Sequence, residues 1–238
     1  MKKLITSIVF VCAAAAPALA QTKPVWTGEG VFGAGLTTGN TETTDVAAAL
    51  KLKHDNGGEW TQAIELAADY GENNSVETKN RLAAAGQVDR VLDERMSIYG
   101  RATFERDAFS GFENRYFVGA GVAYKFIVSE PTNWTLSAGP GYRVDEIRLT
   151  GASEESFGAS FGSRFSQALN ATTQLTNDTD VIYADTSTQL VNSLALTFEL
   201  LSNLNGRVSY DVRYDTNPPV GFEDTDSALR FSLVYKVS

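Results

Sequence analysis

Along most of the chain, apolar and polar side chains alternate with a period of two. Between Glu59 and Tyr70, the residues Trp60, Ile64, Leu66, Ala68 and Tyr70 share one face, and Glu59, Thr61, Ala63, Glu65 and Asp69 share the other. Met96, Ile98, Ala102 and Phe104 oppose Arg95, Ser97, Arg101, Thr103 and Glu105, and Leu229, Phe231, Leu233, Tyr235 and Val237 oppose Ala228, Arg230, Ser232, Val234 and Lys236. Side chains that change sides at every residue indicate β-strands with one apolar and one polar face. Eleven turn signals divide these runs, among them Asp55-Asn56-Gly57-Gly58, Leu92-Asp93-Glu94, Glu130-Pro131-Thr132-Asn133 and Thr216-Asn217-Pro218-Pro219. The residue types have the backbone freedom that turns demand. Eleven breaks predict twelve strands, with about 18 residues per strand and turn, enough for the roughly 9 to 11 residues with which a tilted strand crosses a bilayer. An even number also suits a bacterial single-chain barrel.

Alternation alone does not say which face is inside, but the aromatic residues do. Trp60 and Tyr70 bracket Ile64 and Leu66, Tyr116 and Tyr124 bracket Val118, Ala120 and Val122, and Trp134 and Tyr142 bracket Leu136 and Ala138. Aromatics at both ends of an aliphatic strand face match the two girdles of an outer-membrane barrel. The ten steps from Trp60 to Tyr70 cover about 33 Å, which a tilt near 40° reduces to roughly 25 Å of height, the thickness of the apolar band. The expected fold is therefore all-β, an antiparallel transmembrane barrel of about twelve strands with its apolar face outward. Charged residues of both signs on the other face predict a polar lumen: Glu65, Arg101, Glu105, Arg115, Arg143, Arg164, Asp211 and Arg213 are the lumen-lining candidates, with Asp45, Asp69, Arg81, Asp180, Arg207 and Arg230 on the same side. A soluble β-sandwich or eight-stranded ligand carrier of the lipocalin kind remains the alternative.

The N-terminus stands apart from this pattern. Met1-Lys2-Lys3, the apolar run from Leu4 to Pro17 and the small-x-small site Ala18-Leu19-Ala20 form a secretory signal peptide over residues 1–20, leaving 21–238 as one barrel domain. Cys12 lies inside the leader behind Val11, where a lipid anchor would want a small residue. The mature chain then has no cysteine, which excludes disulfides and thiolate metal sites. Of 238 residues, 29 are acidic and 20 basic; without Lys2 and Lys3 the balance is 18 basic against 29 acidic, a formal charge of −11. Nucleic acid is excluded as a partner, because phosphate backbones are bound by clustered Lys and Arg. The expected partners are outer-membrane lipid, the barrel assembly machinery, and small solutes or ions.

Segments across the mature chain carry a family resemblance. Trp26-Thr27-Gly28, Gly35-Leu36-Thr37-Thr38-Gly39-Asn40-Thr41-Glu42-Thr43, Phe104-Glu105-Arg106-Asp107-x-Phe109-Ser110-Gly111, Gly119-Ala120-Gly121-Val122-Ala123-Tyr124 and Gly139-Pro140-Gly141-Tyr142-Arg143 resemble the YdiY-like salt-induced outer membrane proteins. The resemblance implies an outer-membrane barrel without known catalytic residues, with a salt association that supplies no mechanism. The chain departs from many such barrels in ending Tyr235-Lys236-Val237-Ser238 rather than on an aromatic, and in placing Pro140 inside a strand, where a bulge or kink is expected.

Other chemistry has little footing. Gly28-Glu29-Gly30-Val31-Phe32-Gly33 spells the dinucleotide fingerprint, but an alternating strand follows where that fingerprint needs a helix. His54, the one histidine, falls on the apolar face beside a turn, which suits an interfacial side chain better than a general base for an outer-membrane hydrolase. Asp178, Asp180 and the group Glu223, Asp224 and Asp226 lack the spacing of a calcium loop. No catalytic, cofactor or metal residue is assigned, and the expected role is a narrow pore or structural envelope barrel linked to salt or osmotic conditions.

Overall fold

A computed structural model describes residues 24–38, 43–73 and 76–237. The predicted leader and the centre of the Thr-Thr-Gly-Asn-Thr-Glu-Thr segment lie outside these residues. Among the described residues, twelve strands form one closed antiparallel barrel: β1 (Val25–Thr38), β2 (Thr43–Asp55), β3 (Trp60–Asn73), β4 (Val76–Val91), β5 (Met96–Asp107), β6 (Phe112–Ser129), β7 (Thr132–Ile147), β8 (Ser153–Asn170), β9 (Thr173–Ala184), β10 (Thr188–Leu201), β11 (Leu204–Asp215) and β12 (Thr225–Val237). Each strand pairs with its sequence neighbours, and β1 closes on β12 from Gly28↔Val237 to Thr38↔Ser227. Closure leaves no edge with unpaired backbone groups, which hydrocarbon could not satisfy.

The expected facing is observed. Leu66, Leu136 and Phe231 point outward, 44%, 36% and 61% exposed, so the apolar side chains form an outer belt and do not fill a dry core. This overturns the soluble-carrier alternative. Trp26, Trp60, Tyr124 and Tyr235 ring the end that holds the first and last strand termini, and Tyr70, Tyr116 and Tyr214 ring the opposite, distal end. The remaining girdle candidates also fall on the outer face: the Trp134 indole N–H donates to Ser163 Oγ (3.0 Å), and the Tyr142 hydroxyl donates to Glu155 (2.5 Å) while its ring meets Phe157 edge-on.

Ten of the eleven predicted breaks overlap a connection and Leu169-Asn170 ends one residue short of one, because several strands run further than the turn residues suggested. Gly71, Glu72 and Asn73 still belong to β3, and Leu169 and Asn170 to β8. The ladder hydrogen bonds continue there irrespective of turn propensity, because pairing needs only a partner strand. Pro140 corrects a second expectation. The pairing between β6 and β7 resumes in the same register on either side of it, Gly119↔Gly141 and Val122↔Ala138, with no bulge between. The ladder simply opens for two residues opposite the missing N–H, while pairing to β8 runs unbroken through Pro140↔Ala159.

The turns at the terminal end are short and locally capped. The Asp93 carboxylate accepts the backbone N–H groups of Arg95 and Met96, each at 2.7 Å, and these bonds hold its pKa below the ordinary aspartate value. Such a group supports the folded state fully above its unfolded pKa and loses that support as pH falls through its lower folded value. An NMR titration is expected to place the Asp93 midpoint below that of an unstructured aspartate. On the lipid-facing belt, Leu66→Arg at mid-strand is expected to destabilise the barrel by roughly 2–4 kcal/mol, measured as a shift of the denaturant midpoint in vesicles.

Candidate functional site

The inward positions carry the chemistry. On β5 the alternation that sends Ile98, Ala102 and Phe104 outward sends Tyr99, Arg101, Thr103, Glu105 and Asp107 inward, and the same parity on β11 brings Arg207, Ser209, Asp211, Arg213 and Asp215 into the lumen. These side chains form ion pairs in three tiers.

Near the terminal end, Arg207 meets Glu29 through two bonds of 3.1 and 2.8 Å, with Lys51 at 4.0 Å from the same carboxylate. At mid-height, Asp180 accepts from Arg101 (3.0 Å) and, through both carboxylate oxygens, from Arg164 Nη2 (2.7 and 2.6 Å). Toward the distal end, Arg230 joins Asp69 (2.9 Å) to Asp211 (2.8 Å), Arg81 joins Asp69 (3.1 Å) to Glu105 (3.2 Å), and Arg213 binds Glu105 (2.9 Å). Arg115 reaches Asp215 at 2.5 Å while its guanidinium lies 3.5 Å from the centre of the Phe112 ring.

Three of these contacts cross the bore. Among twelve strands in a ring, β5 and β11 are opposite, and β6 and β11 nearly so, so Glu105–Arg213 and Arg115–Asp215 are struts across the lumen, and Arg101–Asp180 crosses from β5 to β9 at mid-height. Twelve strands about 4.8 Å apart and tilted near 40° enclose a circle about 24 Å across. An extended Glu and Arg reach roughly half of that, so their contact at 2.9 Å requires a flattened section. The wall permits the tight bend: Gly119, Gly121, Gly139 and Gly141 face inward on β6 and β7, and a Cβ at Gly141 would stand 2.3 Å from the Phe117 ring that lies over it.

Below the struts lies a chamber of about 230 Å³, bounded by Glu65, Arg81, Arg101, Glu105, Phe117, Asp180, Gln189 and Arg213. Glu65 also lines an open recess of about 460 Å³ at the terminal end, with Glu29, Lys51, Lys53 and Lys236, so the two spaces meet at that residue. Toward the distal end lie two smaller spaces, of about 60 Å³ beside Asp69, Arg81 and Arg230 and of about 50 Å³ under the connection Thr216–Asp224. That connection folds across the mouth. Pro219 packs against Gly111 on the opposite rim, where a Cβ would lie 2.3 Å from its ring. The Asn217 amide donates to the Thr186 carbonyl (3.1 Å), and the Thr188 N–H to Thr216 Oγ1 (2.8 Å).

All eight lumen-lining candidates thus point into the bore, and Arg81, Asp69 and Arg230 link several of them. Glu65 stands apart from the struts, at the chamber entrance. Sequence reasoning missed Asp145 and Asp215 as the partners of Arg143 and Arg115. Arg143 and Asp145 are 2% and 1% exposed, bonded to each other, with Arg143 also donating to the Ser187 hydroxyl (2.5 Å) and carbonyl (3.2 Å). The spacing Arg143-x-Asp145 puts both on one strand face, a signal that was present. Inward-facing Tyr99, Phe112 and Phe117 were also missed, because aromatics on a polar face break the alternation used to find it.

His54 stands on the outer face at the terminal rim, its ring 4.5 Å from Trp26 and its Nδ1 3.0 Å from Gln62 Oε1. The Gly28–Gly33 segment is continuous strand inside β1. Among the described residues no group of three or more acidic, His or Cys side chains is arranged to hold a metal ion.

Comparison with known proteins agrees with this architecture. The chain is 24% identical over 171 residues to the uncharacterized protein YdiY of Escherichia coli strain K12, an alignment covering 71% of this chain and 67% of YdiY. Among solved structures it resembles the NanC porin, with a TM-score of 0.59 at 12% identity over 87% of this chain and all of that one. It also resembles the KdgM porin in complex with disordered oligogalacturonate, with a TM-score of 0.51 at 10% identity over 88% and 99% of the two chains. Both likenesses concern the fold. The profile of the family described as "Protein of unknown function, DUF481" matches residues 31–237, and the chain belongs to that family.

Proposed function

We propose that this protein sits in the outer membrane with its termini toward the periplasm and acts as a narrow pore for small ions, shut in this conformation. The observation that carries this reading is the Glu105–Arg213 strut between opposite strands, above a charged chamber that shares Glu65 with an open recess at the terminal end. A barrel needed only for envelope structure would be equally stable with its lumen packed by apolar side chains. A polar path interrupted by paired charges suits conduction under control. The shared fold of two proteins named as porins supports the same reading, and the struts favour ions over sugars because they divide the bore. Catalysis has no comparable support: His54 faces outward against Trp26, away from every lumen carboxylate.

The distal rim gathers carboxylates, including Glu113, Glu154, Asp185, Glu223, Asp224 and Asp226, against few cations such as Arg106 and Arg148. Such a field raises the local cation concentration, so the open pore is expected to prefer cations. Ionic strength would give the salt association implied by the sequence resemblance a physical route, since salt weakens hydrated pairs such as Arg164–Asp180 more than buried ones such as Arg143–Asp145.

Arg213→Ala removes a strut yet leaves Glu105 paired with Arg81. In planar bilayers this variant, and more so its combination with Arg115→Ala, is expected to conduct several-fold more than the parent, with a reversal potential displaced toward the cation. Absence of conductance in parent and variants at any voltage and salt would assign the barrel a purely structural role. Asp145→Asn tests the buried wall pair and also withdraws a carboxylate 3.5 Å from the strut residue Arg115: stranding the buried Arg143 is expected to cost about 3–5 kcal/mol, whereas Glu59→Gln at the exposed rim pair with Arg90 should cost under about 1 kcal/mol, both read from denaturant midpoints.

A further inference from the structure

The outer surface of β8, β9 and β10 departs from the apolar belt at mid-strand. Asn177 has Phe165 and Leu194 as ladder partners, and Thr179 has Ser163 and Asn192. Strand parity therefore puts Ser163, Asn177, Thr179 and Asn192 together on the outward face. At comparable places on other strands the outward residues are Leu66, Val122 and Phe231.

The polar groups of this patch satisfy one another only in part. Asn192 Nδ2 donates to Thr179 Oγ1 at 2.8 Å and reaches the Asp178 carbonyl only at 3.4 Å, the two amides exchange bonds at 3.3 and 3.4 Å, and Thr179 Oγ1 lies 3.5 Å from Asn177 Oδ1. An amide has two donor hydrogens and two acceptor lone pairs, so capacity for stronger bonds is left facing a region where lipid tails offer no partner. A molecule that relieves this cost must present donors and acceptors at the same depth. A second copy of the chain does so necessarily. Inserted copies share one orientation, so a two-fold axis along the membrane normal sets the patch against itself at equal height, and amides complement amides.

We propose that two copies associate side by side in the membrane through the β8–β10 face, with Asn177 and Asn192 of each bonding across the two-fold axis. The proposal rests on the membrane placement argued above and is independent of whether the bore conducts.

The test uses full-length protein in lipid vesicles at a low protein-to-lipid ratio, with Cys12→Ser so that one cysteine at a time is introduced. Val181→Cys flanks the patch on β9, and Val122→Cys stands on the far wall at β6. Under a disulfide-forming oxidant, Val181→Cys is expected to give covalent dimer at least ten-fold faster than Val122→Cys, and Asn177→Leu with Asn192→Leu is expected to remove that advantage. Equal rates at the two sites, no dimer at Val181→Cys, or an advantage untouched by the double substitution overturns the proposal. Membrane insertion is read separately from the heat-modifiable gel mobility of the folded barrel, and its failure overturns the membrane reading itself.

Discussion

A backbone amide inside hydrocarbon has no water to bond, and the closed ladder from β1 round to β12 is the response to that constraint. Closure brings the rest with it. With the backbone N–H and C=O groups used within the wall, apart from the opening beside Pro140, the side chains divide between lipid and lumen by parity. Leu66, Phe231 and the girdle aromatics take one side, and the Arg and carboxylate groups take the other. The usual location of a hydrophobic core is thereby inverted, and packing density inside the barrel must come from polar groups.

That inversion explains why the lumen is built as a mesh of ion pairs. Isolated charges in a narrow bore would lose much of their hydration, and the loss is tolerable only where each has opposite charges and hydrogen bonds at close range. Glu105 lies between Arg81 and Arg213, and Arg230 between Asp69 and Asp211. The same mesh that satisfies these groups also occupies the distal third of the bore. Stability of the wall and closure of the passage are thus one set of contacts, with Arg143–Asp145 serving mainly the wall and the struts serving mainly the closure.

Small residues complement the mesh. Inward-facing glycines on β6 and β7 let the barrel bend sharply enough for opposite walls to approach, as the bond of 3.2 Å between Tyr99 on β5 and Ser160 on β8 also requires. The Thr216–Asp224 connection closes the distal mouth above, held by Pro219 against Gly111. Between these features and the open recess at the terminal end, the described residues are asymmetric along the barrel axis, with a wide recess on one side and a crowded mouth on the other.

Much of this was written locally. Strand number, facing, the two girdles and the identity of the lumen charges follow from a period of two, and that period belongs to each strand irrespective of its neighbours: Trp60 to Tyr70 reads the same alone as in the barrel. Pairing partners do not follow. Nothing in the vicinity of Glu105 indicates Arg213, more than a hundred residues away, because their meeting depends on the ladder register of every intervening strand and on how far the section is flattened. The polar patch of Asn177, Thr179 and Asn192 was equally hidden, since single asparagines on separate strands look like turn residues until the register sets them side by side. The sequence by itself determined which residues face lipid and which face the bore, since parity is a property of the extended chain. Only the tertiary structure decided which charges bridge the lumen and whether the passage is open, since those depend on curvature and stagger summed around the whole ring.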